Sequence, residues 1–82
     1  MYVRNAHGDY KMPVPTFSGE KCSVKGCQRT GTDRAHVRKC NSSGVLINNR
    51  VYVIPMCMTH NRSKSDEPFE VKAETEFYPI NE

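Results

Sequence analysis

Cys22-Ser-Val-Lys-Gly-Cys27 and, thirty residues later, Cys57-Met-Thr-His60 each set two metal-type ligands a few residues apart. Gly26 supplies the turn within the first pair. Zinc takes four thiolate or imidazole ligands tetrahedrally, and close pairs of this kind are how chains deliver them. Three thiolates and one neutral imidazole around a divalent ion sum to a net charge of minus one and leave no open position for a substrate, so the site is structural. Two other uses of the cysteines stand beside this one. Four cysteines can form a disulfide framework in three connectivities. Cys40, outside both pairs, can replace His60 as fourth ligand, or can be a small half-buried thiol ahead of the turn-forming Asn41-Ser-Ser-Gly44.

Around these pairs the chain has little else to hold it together. It has 82 residues, of which fifteen are Leu, Ile, Val or Phe. A chain this short buries only about 60% of the surface that its unfolded form exposes, so a core this lean needs a metal or disulfide staple. The length suits one small domain and excludes most large-fold enzymes. No segment approaches the roughly 18 to 20 apolar residues that span a bilayer, and Met1-Tyr-Val-Arg-Asn-Ala-His7 lacks the apolar run of a signal peptide. A cytoplasmic monomer without membrane contact is expected, and the reducing cytosol favours zinc over disulfides.

Three segments follow from the local signals. Residues 1–20 carry scattered prolines and glycines and read as a loosely ordered arm, with a short strand at Tyr2 to Arg4. Residues 21–68 form the zinc-binding core. Within it Arg34-Ala-His-Val-Arg-Lys39 reads as a strand in preference to a helix start, and Val45-Leu-Ile-Asn-Asn-Arg-Val-Tyr-Val-Ile54 as a hairpin, or a strand preceded by a tight turn, stopped by Pro55. A short helix is expected over residues 57–64, ended before Pro68. Residues 69–82 form an acidic β segment, with period-two alternation in Phe69-Glu-Val-Lys-Ala73 and a second apolar patch at Phe77-Tyr-Pro-Ile80.

Charge divides the chain. Residues 1–64 hold eleven Lys and Arg against three acids, whereas residues 65–82 hold one Lys against six. A basic small domain attracts polyanions by counterion release, which makes DNA or RNA the natural partner. Arg34, Arg38, Lys39, Arg50, Arg62 and Lys64 are the candidate phosphate contacts.

Arg34-Ala-His36-Val, then Asn48-Asn49-Arg50-Val-Tyr-Val-Ile-Pro-Met-Cys57, then Thr59-His60-Asn61-Arg-Ser-Lys64 carry a resemblance. Over residues 22–64 the order of motifs resembles the zinc-containing HNH, or His-Me finger, endonucleases. The resemblance implies an α+β fold: a small zinc-stabilised treble clef with a ββα-metal core, to which the C-terminal segment adds a strand or hairpin. It implies that His36 is the general base that takes a proton from water, a role suited to imidazole. Asn49, or Asn48 beside it, braces the loop that orients that histidine. Asn61 takes the place of a ligand to a catalytic Mg2+ or similar ion, which would stabilise charge on the phosphate. Lys64 falls where many members carry a lysine. Cys22, Cys27, Cys57 and His60 hold the separate structural Zn2+. One departure is Ala35, where many active members place a second metal ligand, because a methyl group cannot coordinate an ion.

The functional expectation is a small zinc-binding domain acting on or binding nucleic acid. If it is an enzyme, it is an HNH-type metal-dependent endonuclease. The alternative is a catalytically inactive zinc module serving protein–protein interaction.

Overall fold

Val51–Met56 is the longest run of apolar residues, and it forms a strand buried along its whole length. Strands covered on both faces read in this way, without alternation. A computed structural model describes residues 1–6, 16–61 and 67–80. Among these residues five antiparallel strands are formed: β1 (Tyr2–Asn5), β2 (Asp33–Cys40), β3 (Val51–Met56), β4 (Phe69–Glu70) and β5 (Tyr78–Ile80). They lie in one sheet in the order β4-β1-β2-β3-β5, and a single helical turn, α1 (Met58–Asn61), follows β3.

The expected α+β treble clef with a ββα core does not form. The protein is mostly antiparallel sheet, and the reason lies in Met58-Thr-His-Asn61 and its surroundings. A helix that packs on a sheet needs an apolar stripe, and α1 has no buried residue. The core is completed by strands instead. Residues 62–66, over which the helix was expected to continue, lie outside the described residues. Of the two readings of Val45 to Ile54, a hairpin around Asn48-Asn49 is not formed, whereas a strand preceded by a tight turn is: the Asn48 side chain accepts the Arg50 amide at 2.9 Å just before β3. The Asn41 side chain accepts hydrogen bonds from the Ser43 and Val45 amides at 2.9 and 3.0 Å, so the chain turns there, and Val45 to Asn49 runs as a loop into β3.

Pro55 does not stop β3. Its carbonyl accepts the Ser23 amide at 3.0 Å, away from β2, and β5 pairs only Val51 to Val53. A residue without an N–H is accommodated there because no neighbouring strand needs it. On the outer strand β5, Pro79 removes a donor from the edge, which blunts it against pairing with another chain.

The short strand expected near Tyr2 lies inside the sheet. Tyr2 to Asn5 pairs with Cys40 to Val37 on one side, and Tyr2 and Val3 pair with Glu70 and Phe69 on the other. Residues 7–15 of the expected arm lie outside the described residues. The two faces of the sheet are covered differently. On one, Val3, Ala35, Val37, Ile54, Met56 and Val71 pack with Cys22 and Cys57. On the other, Phe17 covers Val51, Val53 and Ile80, and its ring tilts against Tyr78 at 5.6 Å. No helix among the described residues is long and apolar enough to cross a membrane.

Candidate metal centre

The first cysteine pair sits in a tight loop fastened at its neck. Lys21 bridges Thr30, the Cys22 amide donates to the Arg29 carbonyl at 2.8 Å, and the Cys27 amide donates to the Val24 carbonyl at 3.0 Å. Gly26 has φ +84°, a left-handed conformation in which a side chain would be strained. Gly31 is confined by space instead, since a Cβ there would meet the Lys21 carbonyl at 3.0 Å. The second pair leaves the end of β3. Cys57 is its last buried residue, and the Asn61 amide donates to the Cys57 carbonyl at 2.9 Å, closing the turn that carries His60.

These elements bring Cys22, Cys27, Cys57 and His60 together, with their ligand atoms all within 4.8 Å of one another. The His60 Nδ1 lies 3.1 Å from Cys57 Sγ and 3.7 Å from Cys22 Sγ. Around a tetrahedral zinc the nitrogen-to-sulfur separation is about 3.6 Å, given Zn–S near 2.3 Å and Zn–N near 2.05 Å. All four cysteines are free thiols, so the alternative of a disulfide framework does not arise. The four residues could hold a metal ion such as zinc. Cys40 is not among them; it lies buried at the far end of β2, beside Tyr2 and Leu46.

The backbone prepares these sulfurs for negative charge. Cys27 titrates below the ordinary thiol range, chiefly because the Arg29 N–H points to its sulfur, against a smaller opposing effect of burial. Burial pushes the Cys22 thiol up, and the N–H groups of Cys57 and Val24 pull against that rise. The His60 amide also lies 3.5 Å from Cys57 Sγ. Side chains then brace the two pairs: Arg29 donates to Thr59 Oγ1 at 2.6 Å, and Lys72 Nζ donates to the Cys27 carbonyl at 2.6 Å.

The residues expected to catalyse do not converge. His36 pairs with Val53 and stands on the sheet face that also carries Arg34 and Arg38. Asn61 donates to Asp33 Oδ2 at 3.2 Å, and Asp33 alternates with Ala35 and Val37 on the opposite, metal-bearing face. Asn49 is exposed at the other end of the sheet, where its carbonyl accepts from Arg38 at 2.9 Å, and Asn48 donates to the Tyr52 hydroxyl at 3.1 Å.

No family model, curated protein or solved structure matches this chain.

Nothing in the structure identifies the HNH family either; what is present is a Cys3His cluster at metal-binding distance. Of the expected phosphate contacts, Arg34 and Arg38 share a face, and Arg50 is exposed at the start of β3. Lys39 faces the other way, with its Nζ 4.6 Å from the Tyr52 ring centre and 4.4 Å from that of Phe77, so it is held by packing. Arg62 and Lys64 lie outside the described residues. Arg4 was not a sequence candidate. It stands opposite Arg38 only because β1 pairs with β2, which no local pattern announces.

His36 provides a pH test. Burial, and secondarily the Arg34 charge, hold its imidazole below the ordinary value of 6.5. The unfolded chain therefore binds the proton more readily, and the folded state loses stability as pH falls through about 6.5. Thermal melts of wild type and His36→Gln across that range should diverge, with the wild type falling faster. Parallel curves would show that His36 does not contribute.

Proposed function

We propose that this chain is a small zinc-stapled module that binds nucleic acid through one face of its sheet and does not cut it. Zinc is the ion that suits three thiolates and an imidazole in a closed tetrahedron, and its role is to hold the fold. The observation that carries the binding reading is the placement of Arg4 directly opposite Arg38, with Arg34 further along the same face of β2. Like charges directly opposite each other destabilise a sheet pair. A polyanion laid across them reverses the sign of that term and gains affinity by releasing counterions. The non-cutting part rests on the separation of His36 from Asn61 across the sheet.

Fluorescence anisotropy with labelled duplex DNA and structured RNA over a salt series tests both parts. Wild-type protein should bind with a linear dependence of log K on log salt. Arg34→Gln with Arg38→Gln should weaken binding to every sequence alike and reduce that slope by about 2, roughly one per lost phosphate contact. Plasmid should stay intact in Mg2+ or Mn2+. Absence of salt-sensitive binding, or a slope unmoved in the double variant, would sink the binding reading. Divalent-dependent cleavage that vanishes in His36→Ala would replace the non-cutting reading with an endonuclease.

A further inference from the structure

Three adjacent apolar residues stand out in the loop between β2 and β3: Val45, Leu46 and Ile47 are 62%, 40% and 59% exposed. Leu46 is the sole leucine of the chain, and Ile47 is one of three isoleucines. In a molecule with so few large aliphatic groups, this cluster is placed in water and not in the core. The loop is also held firmly in that pose. The Asn41 side chain caps Ser43 and Val45, the Asn41 amide donates to the Val45 carbonyl at 2.9 Å, and the Ile47 amide donates to the Lys39 carbonyl at 3.0 Å. Gly44, with φ +87°, makes the turn that leads into it.

Two cations flank the tip. Arg4 donates to the Gly44 carbonyl at 3.0 Å, just before the apolar run, and Arg38 donates to the Asn49 carbonyl at 2.9 Å, just after it. Each bond engages one nitrogen of a guanidinium that has five N–H donors in all, which leaves donors for an anion. Arg50, which is exposed, adds a third charge beside Asn49, next to the half-buried Arg4 and Arg38. The pattern is positive, apolar, positive. A base step of a nucleic acid presents the complementary order of phosphate, stacked bases, phosphate, and apolar side chains of this size are what proteins insert between unstacked bases.

We infer that the Val45–Ile47 tip is a wedge that enters a base step while Arg4 and Arg38 take the phosphates on either side. This rests on the nucleic-acid reading above and assigns it a mode: deformable steps are preferred, because the wedge must separate stacked bases. Cations and wedge contribute differently to affinity. Phosphate contacts set the salt slope, whereas an apolar insertion adds a salt-independent part.

The test uses the metal-loaded protein and a labelled duplex with 2-aminopurine at a central TA step. Wild type should raise the 2-aminopurine fluorescence by unstacking the base. Leu46→Ser with Ile47→Ser should bind roughly tenfold more weakly or worse, in line with the loss of two buried aliphatic groups, give no fluorescence rise, and keep the wild-type salt slope and melting behaviour. Binding of the double variant as tight as wild type overturns the wedge and leaves the binding face standing. Failure of wild type to bind the duplex at all overturns both. Capture of wild type by phosphatidylglycerol vesicles, lost in the double variant while duplex binding is unchanged, assigns the tip to a lipid surface and also overturns the wedge.

Discussion

Stripping the metal with a chelator should unfold the whole chain, seen as collapse of amide dispersion in the NMR spectrum and loss of a cooperative melt. The candidate metal ligands belong to the main core. Cys22 and Cys57 are buried among Val3, Ala35, Val37, Ile54 and Met56. The knuckle also closes one side of the sheet: Val24 bridges Val71, the Lys25 amide donates to the Glu70 carbonyl at 3.1 Å, and the Lys72 amide donates to the Ser23 carbonyl at 2.9 Å. Without the ion, three thiols and an imidazole would be left facing one another with nothing to hold them, and the covering of β4 and Val71 would loosen with them. Structural zinc sites bind with about 10 to 16 kcal/mol of apparent free energy, as much as or more than the roughly 4 to 12 kcal/mol expected for a domain of this length. Cys57→Ser should therefore reproduce the unfolded spectrum. Cys40→Ser should keep one metal per chain, because Cys40 is remote from the cluster. A chelated sample that kept its dispersion would show that the apolar core suffices alone.

Val3→Asp should abolish folding nearly as completely. Val3 is fully buried between β4 and β2, opposite Lys39 on one side and Phe69 on the other. A carboxylate there would be stripped of water among Ala35, Val37, Ile54 and Val71, and even with Lys39 opposite, burying a charge costs several kcal/mol after relaxation. Val3→Ala separates packing from charge. It should fold with a stability loss of about 1 to 3 kcal/mol, as expected for deleting two buried methyl groups. Urea titrations of the two variants measure the difference. A Val3→Asp protein with a wild-type midpoint would mean that β1 is dispensable to the sheet.

What could be read from the sequence was whatever depends on near neighbours. The Cys3His cluster announced itself by spacing, since Cys22 with Cys27 and Cys57 with His60 each lie within one tight loop. Strand character was visible at Arg34–Lys39 and Val51–Ile54 for the same local reason, namely β-branched residues and alternation. Pairing was not visible. Tyr-Val-Arg-Asn is too short to show a period, and its interior seat depends on partners at Lys39 and Phe69. Helix character after Cys57 was legible, since Met58 to Asn61 forms one turn, but its lack of any buried residue, and so of a packed helical layer, was not. Val45-Leu-Ile looked like a strand because its residues favour one. It pairs only through the Leu46 bridge to Cys40, after the turn that the Asn41 side chain caps.

The order of the strands also bears on how the protein is made. Tyr2 must meet Glu70, and Val51 must meet Ile80, before either edge of the sheet is closed. Such distant pairings fold slowly, because loop closure precedes any gain from contact. On the ribosome, β1 emerges well ahead of β4, its partner on one side, and waits for it. The first cysteine pair waits for Cys57 and His60 to complete the four-residue cluster, and the apolar β3 then waits for β5. The nascent chain therefore carries an uncompleted cysteine pair until His60 is made and an uncovered β3 until Ile80 is made, and expression should respond to zinc supply and to chaperone capacity during those intervals.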